Sequence, residues 1–428
     1  MKMLEQFLLY FSLGFFIVWY FVRPILVLIL GLLDKKKEDH LSFDHGEGVS
    51  VVIPCHNEEE TIEETIRSVL NQVMSCAVQI IVVENNSTDR TFDVVQKLAE
   101  KFYQIKPYSL TISRFKYDGT RVNPISYALN FGIGKATFPI ILRLDADTQL
   151  GEPNVLKKMV LPIIQKQAVL CGCNVGSEND KENILTRLQT IEYFLAMEVD
   201  RKAQQLLQTL VCASGAMQAF CKEAFLAVGG YEDNIHVSED MDLTLKMHRI
   251  GCVQFINDAV VYTDTPNNAK QLFKQRTWWT YIGMVCAYQH KKGLFNREYG
   301  KFGLMGFIGL PLKIYLSFQS FVSLIIRVIA SVVSVLSGIT VNLTETFITI
   351  TLIHVLLDAF AILICIPVAK NKQVISNLWL IPIFSLIYGP LLNLVKVYAV
   401  FSGIYKVNKE RIVKSKQIEK TSSVQRAL

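Results

Sequence analysis

Phe138-Pro139-Ile140-Ile141-Leu142-Arg143-Leu144-Asp145-Ala146-Asp147 is the stretch on which the reading of this chain turns. Phe138 to Leu144 is an apolar run of strand length bounded by polar residues, so it reads as a buried strand. Asp145 and Asp147 stand where that strand ends. A second acidic cluster, Ser238-Glu239-Asp240-Met241-Asp242, follows downstream. Carboxylates packed closely repel one another, so a fold that gathers them needs positive charge between them, and a divalent metal is the obvious candidate.

On either side of this stretch the pattern alternates. Val49 to Ile53 is a β-branched run ending at Pro54, and Glu58 to Asn71 carries Ile62, Ile66, Val69 and Leu70 at helical spacing. Gln79 to Val83 is a second strand. Ser87 to Phe102 reads as a helix capped by Ser87, with Asp89 in its first turn. Tyr108 to Ile112, Pro124 to Phe131 and Phe138 to Leu144 continue as strand, helix, strand. A strand near Ala168 to Cys171, a long helical stretch from Glu182 to Leu207, a Gly229-Gly230-Tyr231 turn and a helix from Glu239 follow. This order predicts an α/β fold, a doubly wound, mainly parallel sheet with right-handed crossovers. Such sheets bind ligands at the carboxyl ends of their strands. His56-Asn57-Glu58, Glu84-Asn85-Asn86 and Asp145 with Asp147 all fall there.

The chain has 428 residues, 51% of them hydrophobic, and a mean hydropathy of +0.30. That is too apolar for an ordinary soluble enzyme. Leu8 to Leu33 reads as an uncleaved membrane helix, because about 20 apolar residues span a bilayer. Phe302 to Tyr405 is a longer apolar block. Gly303 to Ser320 looks interfacial, and Phe321 to Ile339, Phe347 to Val368 and Val374 to Val400 are spanning candidates. The predicted division is 1–40 for the first membrane helix and its basic flank, 41–300 for a cytoplasmic domain, 301–405 for the interfacial and membrane helices, and 406–428 for a basic tail. Lys35-Lys36-Lys37 puts the central domain in the cytoplasm of a multi-pass cell-membrane protein. Three C-terminal spans leave the tail outside, whereas its lysines and arginines place it inside. Either the interfacial segment spans, or Val374 to Val400 bends back at Gly389-Pro390. The nine cysteines form no C-x-x-C pair and read as core thiols of a reducing compartment, Cys171 and Cys173 included. The net charge of +6 needs only an anionic bilayer, not nucleic acid, as its partner.

Asp145 and Asp147 can converge on one ion, and hard oxygen donors suit Mg²⁺ or Mn²⁺, which take further ligands from substrate phosphates. The metal offsets a diphosphate's charge and stabilises it as a leaving group. Asp240 is the candidate general base for a sugar hydroxyl. Glu239 and Asp242 flank it and raise one pKa by repulsion, while Ser238 can cap the helix that starts there. In Gln275-Arg276-Thr277-Trp278-Trp279, Arg276 can hold phosphate oxygens and the indoles can stack on sugars or lie at a membrane interface.

Together these segments resemble the inverting, metal-dependent glycosyltransferase family 2, in its membrane-embedded polysaccharide-synthase branch. The poly-N-acetylglucosamine type is nearest in size and layout, with the hyaluronan and cellulose synthases beside it. The likeness runs from about Val49 to Trp279. The resemblance implies a GT-A-like fold and donor contacts at Pro54, His56, Glu58, Glu84, Asn86, Arg121 and Asp145. It implies metal at Asp145 and Asp147, acceptor or diphosphate contacts at Ser214, Gly215, Gln275, Arg276, Trp278 and Trp279, and catalysis by Asp240 with Glu239. Three positions depart from the family's pattern. Glu84-Asn85 stand where two aspartates are frequent. Ile125 stands where a lysine is frequent, so a diphosphate contact is either lost or moved to Arg121. Trp278 stands where the arginine of the processive Q-x-x-R-W motif belongs.

The implied activity is transfer of N-acetylglucosamine or another hexose from a UDP-sugar onto a growing β-linked extracellular glycan, with coupled export. The alternative is a single transfer to a lipid carrier or lipid-linked glycan. Expected partners are the UDP-sugar, a glycan or lipid-linked acceptor, membrane lipids and a small auxiliary membrane subunit.

Overall fold

The computed structural model describes residues 21–33, 48–116, 120–300, 303–318 and 343–403. The span expected at Phe321 to Ile339, the start of the first membrane helix, Lys35-Lys36-Lys37 and the basic tail lie outside the described residues. After α1 (Arg23–Leu33) the chain alternates as expected: β1 (Val49–Cys55), α2 (Ile62–Leu70), β2 (Val78–Asn85), α3 (Thr91–Lys101), β3 (Ile105–Leu110), α4 (Pro124–Lys135) and β4 (Ile140–Leu144). Every residue of β1 and β4 is buried, as expected of central strands in a sheet covered on both faces. Pro54 costs β1 little, because pairing with β4 stops at Val52.

α2 and α3 start later than expected. Glu58 to Thr61 forms a turn closed by the Thr61 hydroxyl donating to Glu58 (2.8 Å). Ser87 is not a helix cap. It belongs to a turn in which its hydroxyl accepts from the Asn57 N–H (3.1 Å), and Asp89 accepts from the Thr91 N–H (3.0 Å).

The sheet has eight strands in the order β3-β2-β1-β4-β7-β6-β8-β5. Its other members are β5 (Thr148–Leu150), β6 (Leu170–Ser177), β7 (Met217–Cys221) and β8 (Val253–Thr263), with α5 (Val155–Ile164) between β5 and β6. The first half is parallel throughout. The second half is mixed: β7 runs antiparallel to both β4 and β6, and β5 to β8. Residue periodicity carries no strand direction, which is why the mainly parallel expectation missed this. The reversal matters for the site. Met217 pairs with Leu144, so the loop entering β7 lies at the same sheet edge as Asp145.

The long helical stretch is α6 (Ile184–Phe194), a wide π-helical segment Leu195–Arg201, and α7 (Lys202–Leu206). The π segment carries buried Glu198, which accepts from Asn174 Nδ2 (2.7 Å) and from the backbone N–H groups of Lys370 (2.9 Å) and Asn371 (2.7 Å). α8 (Lys222–Ala227) and α9 (Glu239–Met247) precede β8, and α10 (Ala269–Gln289) follows it. α11 (Leu343–Cys365) leads to a long helical stretch, Gln373–Gly403, which among the described residues is the segment long and apolar enough to cross a membrane.

One core lies around the sheet. A second joins Val27 of α1, Leu188, Ile191 and Phe194 of α6, and Ile362, Cys365, Leu380 and Phe384 near the C-terminus. The stretch Gln373–Gly403 meets the central domain at both ends. Gln373 exchanges hydrogen bonds with the backbone of Ser177 (2.7 and 3.2 Å), Tyr398 packs on Phe273 (5.2 Å between ring centres), and Gly403 lies against Tyr281 of α10.

Candidate active site

The site begins with Arg143. An arginine in the middle of a buried strand is rare unless paired, and this one is 2% exposed. Its guanidinium donates to Asp145 Oδ1 (3.1 and 3.3 Å) and to Glu239 Oε1 (2.9 Å), and it stacks 5.4 Å from the Tyr231 ring centre. The Tyr231 hydroxyl is held by Gln218 (2.6 Å). Part of the positive charge expected between the two acidic clusters is therefore a side chain of the fold. Sequence reading passed over Arg143, although a lone arginine in an apolar strand run is itself a signal.

Gly215 approaches closely for the same reason. A Cβ there would stand 2.8 Å from Arg143 Nη2. The Gly215 N–H donates to Asp240 Oδ2 (3.2 Å), while Asp240 Oδ1 accepts from the Ser238 hydroxyl (2.6 Å) and the Met241 N–H (2.7 Å). Ser238 occupies the N-cap of α9 but makes no side-chain cap bond. Its hydroxyl orients the Asp240 carboxylate instead. Neighbouring Ser214 supports the loop through the Ala216 N–H (3.4 Å).

Glu239 also meets Asn123 Nδ2 (3.4 Å), and burial, with the charge of Asp240 adding, raises its pKa against the pull of Arg143. Asp242 does not share this pocket. It turns the other way, to His290 Nε2 (2.8 Å) and Lys246 Nζ (2.6 Å), so the expected repulsion between Asp240 and Asp242 is relieved by a separate pair of partners. Asp242, Cys286 and His290 bring ligand atoms within 4.8 Å of one another, but the Lys246 ammonium already neutralises that carboxylate.

At the end of β4, Asp145 keeps 34% of its side chain exposed. Loss of hydration, with Asp147 adding, pushes its pKa up to about 6 against Arg143. Asp147 is raised as well, by loss of hydration and by Glu58, and Glu58 by loss of hydration and by Asp145. Each of these three carboxylates thus feels the charge of another, with a single guanidinium at hand. A set of hard oxygen donors that destabilise one another's charge fits a divalent cation.

The turns after β1 and β2 are held by two asparagines in the left-handed region, Asn57 (φ 57°) and Asn86 (φ 54°). Asn57 Oδ1 accepts from the Thr88 N–H (2.8 Å) and Asn86 Oδ1 from the Ile112 N–H (2.8 Å). His56 donates Nδ1–H to the Asn85 carbonyl (2.6 Å), and its Nε2 accepts from Asn57 Nδ2 (3.4 Å). Glu84 is 5% exposed, and its two oxygens are taken by the Ser87 N–H and the Ser109 hydroxyl. It shapes the turn rather than offering a free carboxylate. Arg121 is exposed, on a segment whose backbone bonds Ile235 ahead of α9.

The Gln275 to Trp279 segment divides. Arg276 is buried and doubly bonded to Glu192 (2.9 and 3.0 Å), with the Trp279 ring 4.4 Å away. It ties α10 to α6, so it has no free face for phosphate. Trp279 is 46% exposed. Gln275 and Trp278 line a cavity of about 400 Å³ with Asp264, Thr265 and Lys274. Thr263, which precedes Asp264, pairs with Thr148, which follows Asp147, so this cavity lies beside the end of β4.

This arrangement of a nucleotide-binding-type half sheet with acidic clusters at its carboxyl edge has known counterparts. Residues 50–229 match glycosyl transferase family 2, and residues 140–365, more than half of the chain, match glycosyl transferase family group 2. The chain belongs to that family. Among curated relatives, a poly-beta-1,6-N-acetyl-D-glucosamine synthase of Staphylococcus epidermidis is 28% identical over 240 residues, covering 55% of each chain. One of Staphylococcus aureus (strain COL) is 29% identical over 270 residues, covering 62% of this chain and 60% of the relative. The chain thus matches little more than half the length of these relatives. The mannosyltransferase PcManGT of Pyrobaculum calidifontis, solved in complex with GDP-Man and Mn²⁺, shares the fold with a TM-score of 0.59 at 16% identity, over 91% of this chain and 96% of that one.

Proposed function

We propose that this protein transfers a sugar from a UDP-sugar, with inversion, onto a growing β-linked glycan at the cytoplasmic face of the cell membrane. One observation carries the reading: at the carboxyl edge of the sheet Arg143 bonds both Asp145 and Glu239, and Gly215, packed on that guanidinium, bonds the neighbouring Asp240. The names of the staphylococcal relatives favour N-acetylglucosamine as the sugar and a β-1,6-linked polymer as the product.

Asp145 and Asp147, with Glu58 beside them, would hold Mg²⁺ or Mn²⁺, which when bound supplies charge neutralisation for the departing diphosphate. The turns at His56-Asn57-Glu58 and Glu84-Asn85-Asn86 form the nucleotide side. Asp240 takes the proton of the acceptor hydroxyl on Oδ2, whose bond from the Gly215 N–H (3.2 Å) is longer than the two that Oδ1 accepts (2.6 and 2.7 Å). Ser238 and the Met241 N–H fix Oδ1, so the open lone pair points one way. Attack from the face opposite the leaving diphosphate inverts the anomeric carbon. Glu239 positions Arg143 beside Asp240. Gln275 and Trp278 offer an amide and a sugar-stacking face along the acceptor path.

A membrane setting is supported by the large apolar side chains that α1 and the C-terminal helices leave exposed, among them Leu32, Leu33, Leu356, Leu391, Leu394 and Phe401. The contacts of Gln373 and Gly403 with the central domain favour a C-terminal stretch that returns to the catalytic face, bringing the basic tail to the cytoplasmic side. The single-transfer alternative is favoured by Arg276, whose ion pair withdraws the segment's arginine from the cleft.

The test is a panel of UDP-sugars with Mn²⁺, the products sized, run on the parent and on Asp240→Asn. Polymer from the parent and none from the folded variant is expected. A single-sugar lipid product refutes the polymer reading, and turnover retained by Asp240→Asn refutes the base.

A further inference from the structure

Behind the Asp240 loop lies a second cavity of about 280 Å³, where α7, α10, the helix Met305–Phe318 and the stretch Gln373–Gly403 converge. Arg201, Lys313 and Lys396 line it, with hydroxyls from Thr209, Thr280 and Ser317, and none of its described lining residues is acidic. Three cations on one small wall repel one another as carboxylates do, so they are stable together only beside an anion or open water. The acids that act on Lys396 are already engaged: Glu192 with Arg276 (2.9 Å), and Asp200 with Arg23. Arg201 Nη1 is buried and finds no hydrogen-bond partner among the described residues. An orphaned guanidinium nitrogen in a cationic cavity calls for acceptor oxygens.

We propose that this cavity binds the phosphate headgroup of a lipid, held between Arg201, Lys313 and Lys396. The lipid source follows from the cavity's walls. Lys396 stands on a helix that leaves Leu391, Leu394, Tyr398 and Phe401 exposed, and Lys313 on one that exposes Phe307, Ile308 and Phe318, so a bound phosphate has apolar surface on which to lay a tail. At its other end the cavity reaches Cys212, on the loop whose Gly215 N–H bonds the Asp240 carboxylate (3.2 Å). The headgroup site therefore opens toward the acceptor side of the cleft proposed above. Its binding does not depend on transfer.

The full chain in neutral detergent is titrated with farnesyl phosphate, with farnesol and with inorganic phosphate, binding being read as a ligand-induced rise in unfolding midpoint. Farnesyl phosphate should saturate, and Lys313→Gln and Lys396→Met should each raise its half-saturating concentration on the order of tenfold. Lys396→Arg should restore it. Farnesol acting as well as farnesyl phosphate overturns the phosphate site. Inorganic phosphate saturating at the same concentration overturns the lipid. Unchanged binding in the lysine variants overturns the location. Should Lys396→Met fail to fold, Lys313→Gln on the other helix decides. Lost binding of farnesyl phosphate with intact sugar transfer would leave the proposed function standing and remove only this site.

Discussion

Replacing Arg143 by Met is the sharpest perturbation of the site, because one guanidinium holds both acidic clusters. The change leaves Glu239 (14% exposed) and Asp145 (34% exposed) without their common partner. Removing one member of a buried ion pair costs about 3–5 kcal/mol. The Asp145 share is screened by solvent and adds little, so the loss comes mainly from Glu239, about 3 kcal/mol. For a domain of this size that lowers the unfolding midpoint by about 6–12 °C. The loss also carries a pH signature. The Glu239 pKa is already raised by burial, and without Arg143 it rises further. The folded state then binds more protons than the unfolded one above the ordinary glutamate value of about 4.3, so the variant's deficit grows as pH rises from 5 to 7. Adding Glu239→Gln to Arg143→Met should recover part of the loss. The assay is thermal unfolding of the detergent-solubilised chain across that pH range. A deficit below about 1 kcal/mol, the level of an exposed ion pair, or one independent of pH, would mean that Arg143 does not hold the Glu239 charge.

His248 supplies a second pH dependence. It is buried and donates Nε2–H to the Leu210 carbonyl (2.8 Å), and burial pushes its pKa down to about 4 from 6.5. Stability is complete above 6.5 and falls by about 1.4 kcal/mol per pH unit toward 4, and a His248→Asn variant whose acid limb is unchanged would contradict this. Gly215→Ala drives a Cβ against Arg143 and should cost about 1–3 kcal/mol in unfolding measurements. A variant as stable as the parent would mean that the guanidinium is free to shift. Arg276→Met should destabilise by about 3 kcal/mol, as the loss of a buried pair, without a selective rise in KM for the UDP-sugar. Such a rise at unchanged stability would return Arg276 to phosphate binding.

By itself the sequence determined the alternation of elements, the position of the polar clusters at strand ends, and the two acidic motifs. These are local properties: apolar period, turn residues and carboxylate spacing survive without knowledge of the partner strand. β1, β2 and β4 fall within a few residues of their expected bounds for that reason. Only the tertiary structure decided which side chains meet. The antiparallel entry of β7 brings Ser214 and Gly215 to Asp145, although strand direction leaves no mark on periodicity. Arg143 read as one polar letter in an apolar run until α9 delivered Glu239 to it from 96 residues away. Asp242 and Arg276 read as members of the site, yet each turned to a partner that no spacing reveals, Asp242 to Lys246 and His290, Arg276 to Glu192. A buried charge is placed by whatever compensates it, and that compensation is made through space rather than along the chain.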